Sequence, residues 1–412
     1  MVGAEELAVW LYGERVAVLD RKRGRPGLTY TQAALDRYEL GTPLLSLSLP
    51  VGRRRYPQGV VRAFLDGLLP EGEPRRAIAR DVGVSAQDTY GLVRELGRDC
   101  AGAVVIQPAD EPPPPATAST TTAERLDSSE LESLVRNLRS APLGAGGRVR
   151  ISLAGVQEKL VLTRMPDGSW GRPVDGTPST HILKPEIAAY PQTVENEAFC
   201  MRVAKHLGLE VAAIETTEIA DHKLIVVERY DRQVGDDGAV ERIHQEDFCQ
   251  ALGIPPDAKY EEDGGPSLRR LAETLQAVAA PCSPDGLARA VTLNVLLGNG
   301  DAHGKNFSML HLASGALTLA PLYDLVSTLA YEGDRLAMWV DDVQRIDRVP
   351  APRLIDEIAR WGMPRERAES IVYELLDAAP AAIAAAHEET PGVPDWLIQS
   401  VERQLGRLRK RE

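Results

Sequence analysis

The sequence predicts an α+β protein with a two-lobed, protein-kinase-like fold: a small N-terminal α+β domain, a strand-rich lobe, and a helical C-terminal lobe. Three observations carry this expectation. From Val149 to about Glu228 strand patterns dominate, interrupted by one helix, and beyond residue 245 the pattern is mainly helical. In Gly300-Asp301-Ala302-His303-Gly304-Lys305-Asn306, Asp301 and Asn306 stand five apart, the D-x-x-x-x-N spacing of a kinase catalytic loop. Asp324 follows in Leu319-Ala320-Pro321-Leu322-Tyr323-Asp324-Leu325, where an apolar strand would deliver a second metal-binding carboxylate. In phosphoryl-transfer chemistry such an Asp accepts the proton of the attacking hydroxyl, and the Asn oxygen holds Mg²⁺.

The elements follow in order. Residues 7–19 read as two short strands around a Gly13 turn, and Leu44 to Pro50 alternates with period two as another strand. Val60 to Leu69 and Thr89 to Leu96 look helical, so residues 1–108 form the N-terminal domain. Glu111-Pro112-Pro113-Pro114-Pro115 and the Ser/Thr/Ala run to Thr122 mark a linker over 109–125, because four prolines exclude helix and sheet pairing. An amphipathic helix with Leu126, Leu131, Leu134 and Leu138 on one face opens a kinase N-lobe over 126–230. Within it Phe199, Val203 and Leu207 recur at helical spacing, and Gly208 supplies a stop. Residues 231–412 form the helical C-lobe with the catalytic loop.

Composition narrows the function classes. The 412 residues suffice for two or three domains with separate cores. No apolar run approaches the roughly 20 residues of a membrane span, and the acidic start Met1-Val2-Gly3-Ala4-Glu5-Glu6 lacks signal-peptide features, so the expected location is cytoplasmic. Four scattered cysteines indicate neither a disulfide framework nor a zinc site. A net charge of −13 argues against autonomous nucleic-acid binding. The basic clusters Arg53-Arg54-Arg55, Arg21-Lys22-Arg23 and Arg407-Leu408-Arg409-Lys410-Arg411 read first as solvated faces.

Further residues suit nucleotide chemistry. Lys184 ends the short apolar strand Thr180-His181-Ile182-Leu183-Lys184 and precedes Glu195-Asn196-Glu197, the order of a kinase β3 lysine and its αC glutamate. Glu197 is the favoured partner and Glu195 an alternative. Ser152-Leu153-Ala154-Gly155-Val156-Gln157-Glu158-Lys159 lies where a kinase has its glycine-rich loop, although a β-hairpin without function fits these residues equally well. No G-x-x-x-x-G-K-[ST] occurs, which removes the P-loop reading. Leu224 to Tyr230 is a buried-strand pattern at the position of a kinase hinge, although an ordinary core strand fits these residues equally well. A rival reading makes Asp301, His303, His311 and Asp324 the metal ligands of a hydrolase, but such an enzyme would need neither Lys184 nor Asn306.

Together these segments resemble the HipA family of bacterial serine/threonine kinase toxins. The resemblance rests on Phe64-Leu65-Asp66-Gly67-Leu68-Leu69-Pro70, Gly97-Arg98-Asp99-Cys100-Ala101-Gly102, Ile151 to Lys159 and Thr180 to Lys184. It continues through Asn196-Glu197, Val227 to Arg232, Gln245-Glu246-Asp247, Lys259-Tyr260-Glu261, Asp301 to Ser308 and Pro321 to Ser327, spanning residues 7–345. It implies that Asp301 is the catalytic base, with His303 in the same loop, and that Asn306 and Asp324 bind Mg²⁺. Lys184 would bind ATP phosphates with residues Ser152 to Lys159, and Glu228, Arg229 and Tyr230 would line the adenine. Ser152 would be a self-phosphorylation site. The implied partners are a HipB-like helix-turn-helix antitoxin, through which alone DNA is met, and a protein substrate of the aminoacyl-tRNA synthetase class. The acidic charge and the proline-rich linker depart from the best-known branch, and the tail after about residue 345 carries no matching motif.

Overall fold

A computed structural model describes residues 6–115, 118–138, 153–155, 157–174, 176–278, 284–312 and 314–410. The chain divides into two compact units: residues 1–185, 218–222 and 228–257, and residues 186–217, 223–227 and 258–412.

The first unit begins with an antiparallel sheet of β1 (Leu7–Leu11), β2 (Glu14–Lys22), β3 (Arg25–Tyr30) and β4 (Val104–Pro108), in the order β3-β2-β1-β4. Tyr12 (φ +52°) and Gly13 (φ +78°) form the β1–β2 turn, the two-residue positive-φ connection that suits a twisted hairpin. The helices Gln58–Leu68 and Thr89–Leu96 lie at the expected positions. Their apolar faces join Leu7, Leu19 and Leu28 in one core.

That core does not stop at residue 108, for Leu153 and Val161 belong to it and Ile182 packs against it. The first unit therefore runs across the boundary expected from the prolines. The end of the expected linker is also structured. β5 (Ala118–Ser119) pairs with β13 (Ala239–Arg242), itself paired with β12 (Arg232–Val234). β6 (Glu124–Arg125) pairs with β8 (Trp170–Arg172), and β7 (Leu160–Arg164) pairs with both β8 and β9 (His181–Pro185). The last proline of the expected linker is Pro115, so exclusion from sheet pairing ends before β5 begins.

The expected strand at Leu44–Pro50 is absent: these residues form turns. Leu45 and Leu49 are buried, but so is Ser46, while Leu47 is half-buried, so burial does not alternate, and side chains replace a partner strand. His244 Nε2 lies 2.9 Å from the Leu45 carbonyl, Glu246 Oε1 accepts the Leu47 N–H at 3.0 Å, and Ser48 donates to the Gln250 carbonyl at 2.7 Å. Satisfying the backbone this way removes the need for a ladder.

In the second unit the helix Thr193–His206 packs against the 25-residue helix Arg365–Glu389, which also packs on Pro284–Leu297, Ala351–Arg360 and Asp395–Leu408. Two hairpins complete it: β15 (Ser308–His311) with β16 (Leu317–Leu319), and β17 (Arg335–Val340) with β18 (Val343–Arg345). The remaining strands are β10 (Ile214–Ile219), β11 (His222–Glu228) and β14 (His244–Asp247). Among the described residues no helix is long and apolar enough to cross a membrane.

Candidate active site

The helix Pro284–Leu297 delivers the Asp301 loop. Gly298 (φ +71°) turns the chain at its end. Gly300 then passes so close to β17 that a Cβ there would lie 2.2 Å from the Arg335 carbonyl oxygen. Asn299 holds the loop to the helix by donating to Asn294 Oδ1 at 2.7 Å and accepting the Asp301 N–H at 3.1 Å. The loop closes through His303 N–H on the Asp301 carbonyl (2.8 Å) and Asn306 N–H on the His303 carbonyl (2.9 Å). Asp301 is the exposed residue of this turn, whereas His303, Lys305 and Asn306 are buried.

Asn306 meets Asp324 directly, its Nδ2 donating to Asp324 Oδ2 at 3.1 Å. Its other end, Oδ1, is buried with no hydrogen-bond partner among the described residues. A buried amide oxygen normally finds a donor. Left open beside a carboxylate, it suits a hard cation such as Mg²⁺, which takes oxygen ligands. Asp324 is not at a strand end as expected, since β16 stops at Leu319. The segment between is held instead by reciprocal bonds, Leu322 N–H to the Glu210 carbonyl (2.8 Å) and Ala212 N–H to the Leu322 carbonyl (2.9 Å). Asp324 itself adopts φ +57°, an uncommon left-handed conformation that clusters at functional sites.

Burial, and after it Lys259, pushes His303 down to about 3, so its ring is neutral at physiological pH. Among the described residues no three His, Cys, Asp or Glu side chains group to hold a metal. The hydrolase ligand set of Asp301, His303, His311 and Asp324 is therefore not assembled.

Three contributors escaped the sequence reading as individual residues. Tyr260 donates to Asp301 Oδ1 at 2.7 Å. Lys305 is buried in the same loop, and its charge acts on His303. Asn196 clamps the Asp324 segment to the helix Thr193–His206, accepting the Ser327 N–H at 2.8 Å and donating to its carbonyl at 3.1 Å. A Tyr or Asn carries no motif signal alone; only the adjacency of Asn196 to Glu197 marked it. On that helix Glu197 is buried, and Glu195, the alternative lysine partner, is taken by Lys223.

Within the first unit Lys184 is buried on β9. Gly155 (φ +116°) gives its carbonyl to the Glu71 N–H at 3.1 Å, Gln157 donates to the Pro185 carbonyl at 3.3 Å, and the Lys159 ammonium bonds the Ala154 carbonyl. Leu153 joins the core and Glu158 is half-buried. Ser152 and Val156 lie outside the described residues. Glu228 is exposed at the end of β11 and Tyr230 donates to Gln245. The Arg229 side chain turns inward, toward Asp231, Ser179 and the Cys100 carbonyl at 2.7–2.9 Å. That guanidinium serves the interior and leaves only main-chain atoms for a nucleotide.

Comparison with known proteins places this geometry. A HipA-like C-terminal domain is matched over residues 151–383 and a HipA N-terminal domain over residues 7–107. The first match runs past residue 345, so much of the tail belongs to the same domain. Y4mE of Sinorhizobium fredii, which carries a kinase name, is 40% identical over 393 residues, covering 93% of this chain and 92% of its own. The serine/threonine-protein kinase toxin HipA of Shewanella oneidensis is 34% identical over 341 residues, covering 79% and 76%. A solved structure of HipA from that organism, with HipB and operator DNA, matches with a TM-score of 0.81 at 29% identity over 98% of this chain and 95% of the other. The fold is accordingly the α+β, two-lobed kinase-like fold of HipA. The chain belongs to the HipA family and is a protein kinase of the serine/threonine class.

Proposed function

We propose that this kinase is the cytoplasmic toxin of a HipBA-type module, transferring the γ-phosphate of ATP to a protein of the aminoacyl-tRNA synthetase class and so halting translation. The carrying observation is the pairing of Asn306 with Asp324, leaving a buried open oxygen, in the loop that exposes Asp301. Asp301 accepts the proton of the acceptor serine or threonine hydroxyl as its oxygen bonds to the γ-phosphorus. The bond from that phosphorus to the β,γ-bridging oxygen breaks, and ADP leaves. Asn306 Oδ1 and the Asp324 carboxylate would hold Mg²⁺, which when bound neutralises charge on the phosphates. Lys184, with Glu197 as its partner, would hold the α- and β-phosphates. Residues 152–159 would cover them, and the chain around Glu228 and Tyr230 would meet the adenine.

The HipB- and operator-bound relative supports a second role, corepression through a helix-turn-helix antitoxin. The chain's own charge of −13 leaves DNA contact to that partner. Incubating the protein with ATP, Mg²⁺ and purified glutamyl-tRNA synthetase, or a cell extract, and mapping phosphosites tests the kinase role. A phosphorylated synthetase supports it. Phosphate on no synthetase removes the substrate class, and co-purification with an antitoxin would then favour corepression alone.

Two further outcomes are expected. Lys184→Ala should weaken ATP binding or lower turnover; unchanged ATP affinity together with an unchanged rate at saturating ATP would remove the phosphate role. Wild-type protein incubated with ATP and Mg²⁺ should carry phosphate on Ser152, and Asp301→Asn should not. The modification adds roughly −1.5 to −2 charges at neutral pH, which Arg148 and Arg150 are close enough in sequence to pair with, and phosphoprotein should bind ATP more weakly. Equal affinities would leave Ser152 without a switching role.

A further inference from the structure

We propose that Tyr260 is the positioning residue of the catalytic base, an inference that rests on Asp301 being that base. A carboxylate on an exposed turn rotates freely unless something holds it, and a proton acceptor works only in a narrow range of geometry. The Tyr260 hydroxyl donates to Asp301 Oδ1 at 2.7 Å. It fixes one oxygen and turns the other toward an incoming hydroxyl.

The phenol is itself held from several sides. Its ring meets the His303 ring edge-on at 5.3 Å between centroids and 82° between planes. The preceding residue is tied into the loop, Lys259 accepting the Gly304 N–H through its carbonyl at 3.3 Å. The two following residues are tied to β17: Glu261 Oε2 accepts the Trp339 N–H at 2.7 Å, and Glu262 pairs with Arg335 at 3.2 Å. Gly265 closes the turn by donating to the Tyr260 carbonyl at 2.8 Å. A Cβ at Gly265 would lie 2.6 Å from both the Ala258 and Tyr260 carbonyl oxygens. This much support behind one hydroxyl exceeds what a surface tyrosine needs for packing. The rigid bracket explains how the base can be exposed and still aimed.

The test compares phosphate transfer from radiolabelled ATP into glutamyl-tRNA synthetase and into the chain itself, for wild type, Tyr260→Phe, Gly265→Ala and Asp301→Asn. Tyr260→Phe keeps the ring against His303 and removes only the donor. It should lower kcat roughly 10- to 100-fold, with KM for ATP and melting temperature unchanged. A purely structural role would not produce that split. Gly265→Ala keeps the phenol but displaces its bracket, and should show the same kcat loss. If Asp301→Asn is inactive while Tyr260→Phe turns over at the wild-type rate, the positioning role is overturned and the base assignment stands. A faster Tyr260→Phe would also overturn it, by marking the phenol as a competitor for the place of the substrate hydroxyl. Activity retained in Asp301→Asn, or no transfer by wild type to either acceptor, would instead bring down the kinase-site reading on which the inference rests.

Discussion

Asp301→Asn and Asp324→Asn should each abolish phosphoryl transfer while leaving the protein folded. Asp301→Asn keeps the shape of the side chain and removes its ability to take a proton, a contribution worth factors of roughly 10² to 10⁴. Asp324→Asn removes the charge that the proposed Mg²⁺ site at the Asn306–Asp324 pair would need, an expected loss of several kcal/mol in transition-state stabilisation. The backbone gives the second substitution a clean interpretation. Asp324 has φ +57°, and asparagine is among the few non-glycine residues that tolerate that region well. The substituted amide also keeps an oxygen that can accept from Asn306 Nδ2, the contact seen at 3.1 Å. Loss of activity with an unchanged circular dichroism spectrum and melting temperature is the expected result. Wild-type phosphate incorporation by either variant would show that the loop from Asp301 to Asn306 is not the catalytic loop.

The meeting of the Asp301–Asn306 loop with Asp324 was legible in the sequence as a spacing. Asp301 and Asn306 had to stand five apart for both to serve one tight turn, and Asp324 had to follow the hairpin that returns the chain to them. What surrounds them was not legible, because contacts across long sequence separations leave no local pattern. Tyr260 reaches Asp301 across 41 positions, and Asn196 reaches Ser327 across 131. The same limit governed the fold. Helix Thr89–Leu96 is set by its own periodicity and by the Asp88 cap, which accepts the Gly91 N–H, and its bounds were read correctly. Residues 44–50 have strand periodicity, yet the distant side chains of His244 and Glu246 and the Gln250 carbonyl hold them in turns. A period-two pattern shows that the apolar residues seek burial, and the backbone's hydrogen-bond partners decide whether a strand forms.

The buried ion cluster of the first unit supports the largest expected effect on stability. Asp99 accepts from Arg232 at 3.0 Å, from Arg242 at 3.3 Å and from the Ser179 N–H at 2.9 Å, and pairs with Arg229 at 3.5 Å. Asp231 pairs with Arg229 at 2.8 Å and Arg232 at 3.2 Å. The cluster ties residues 99–102 to residues 229–242, since Arg229 and Arg232 also bond the Cys100 carbonyl and Gly102 bonds Asp231. Burial alone would raise both carboxyls, but the surrounding guanidiniums overcome it and hold Asp99 and Asp231 below their ordinary value of 3.8. Asp99→Ala would leave the two buried guanidiniums of Arg229 and Arg232 sharing the single carboxylate of Asp231, take the half-buried Arg242 from its partner, and strip Ser179 of its acceptor. Removing one partner from such a cluster costs about 3–5 kcal/mol, a large share of the roughly 5–15 kcal/mol that holds a domain folded. The pH dependence follows from the direction of the shifts. Groups whose folded values are depressed stabilise the fold above their unfolded value, and that contribution fades as pH falls below about 3.8. Wild type should therefore lose stability steeply in acid, and Asp99→Ala, already lacking one such carboxylate, should start lower and fall less steeply. Urea denaturation of both proteins between neutral pH and pH 3 reads both effects. Equal midpoints at neutral pH would mean that the cluster's desolvation cancels its attractions, leaving Asp99 to fix which strands meet without adding to stability.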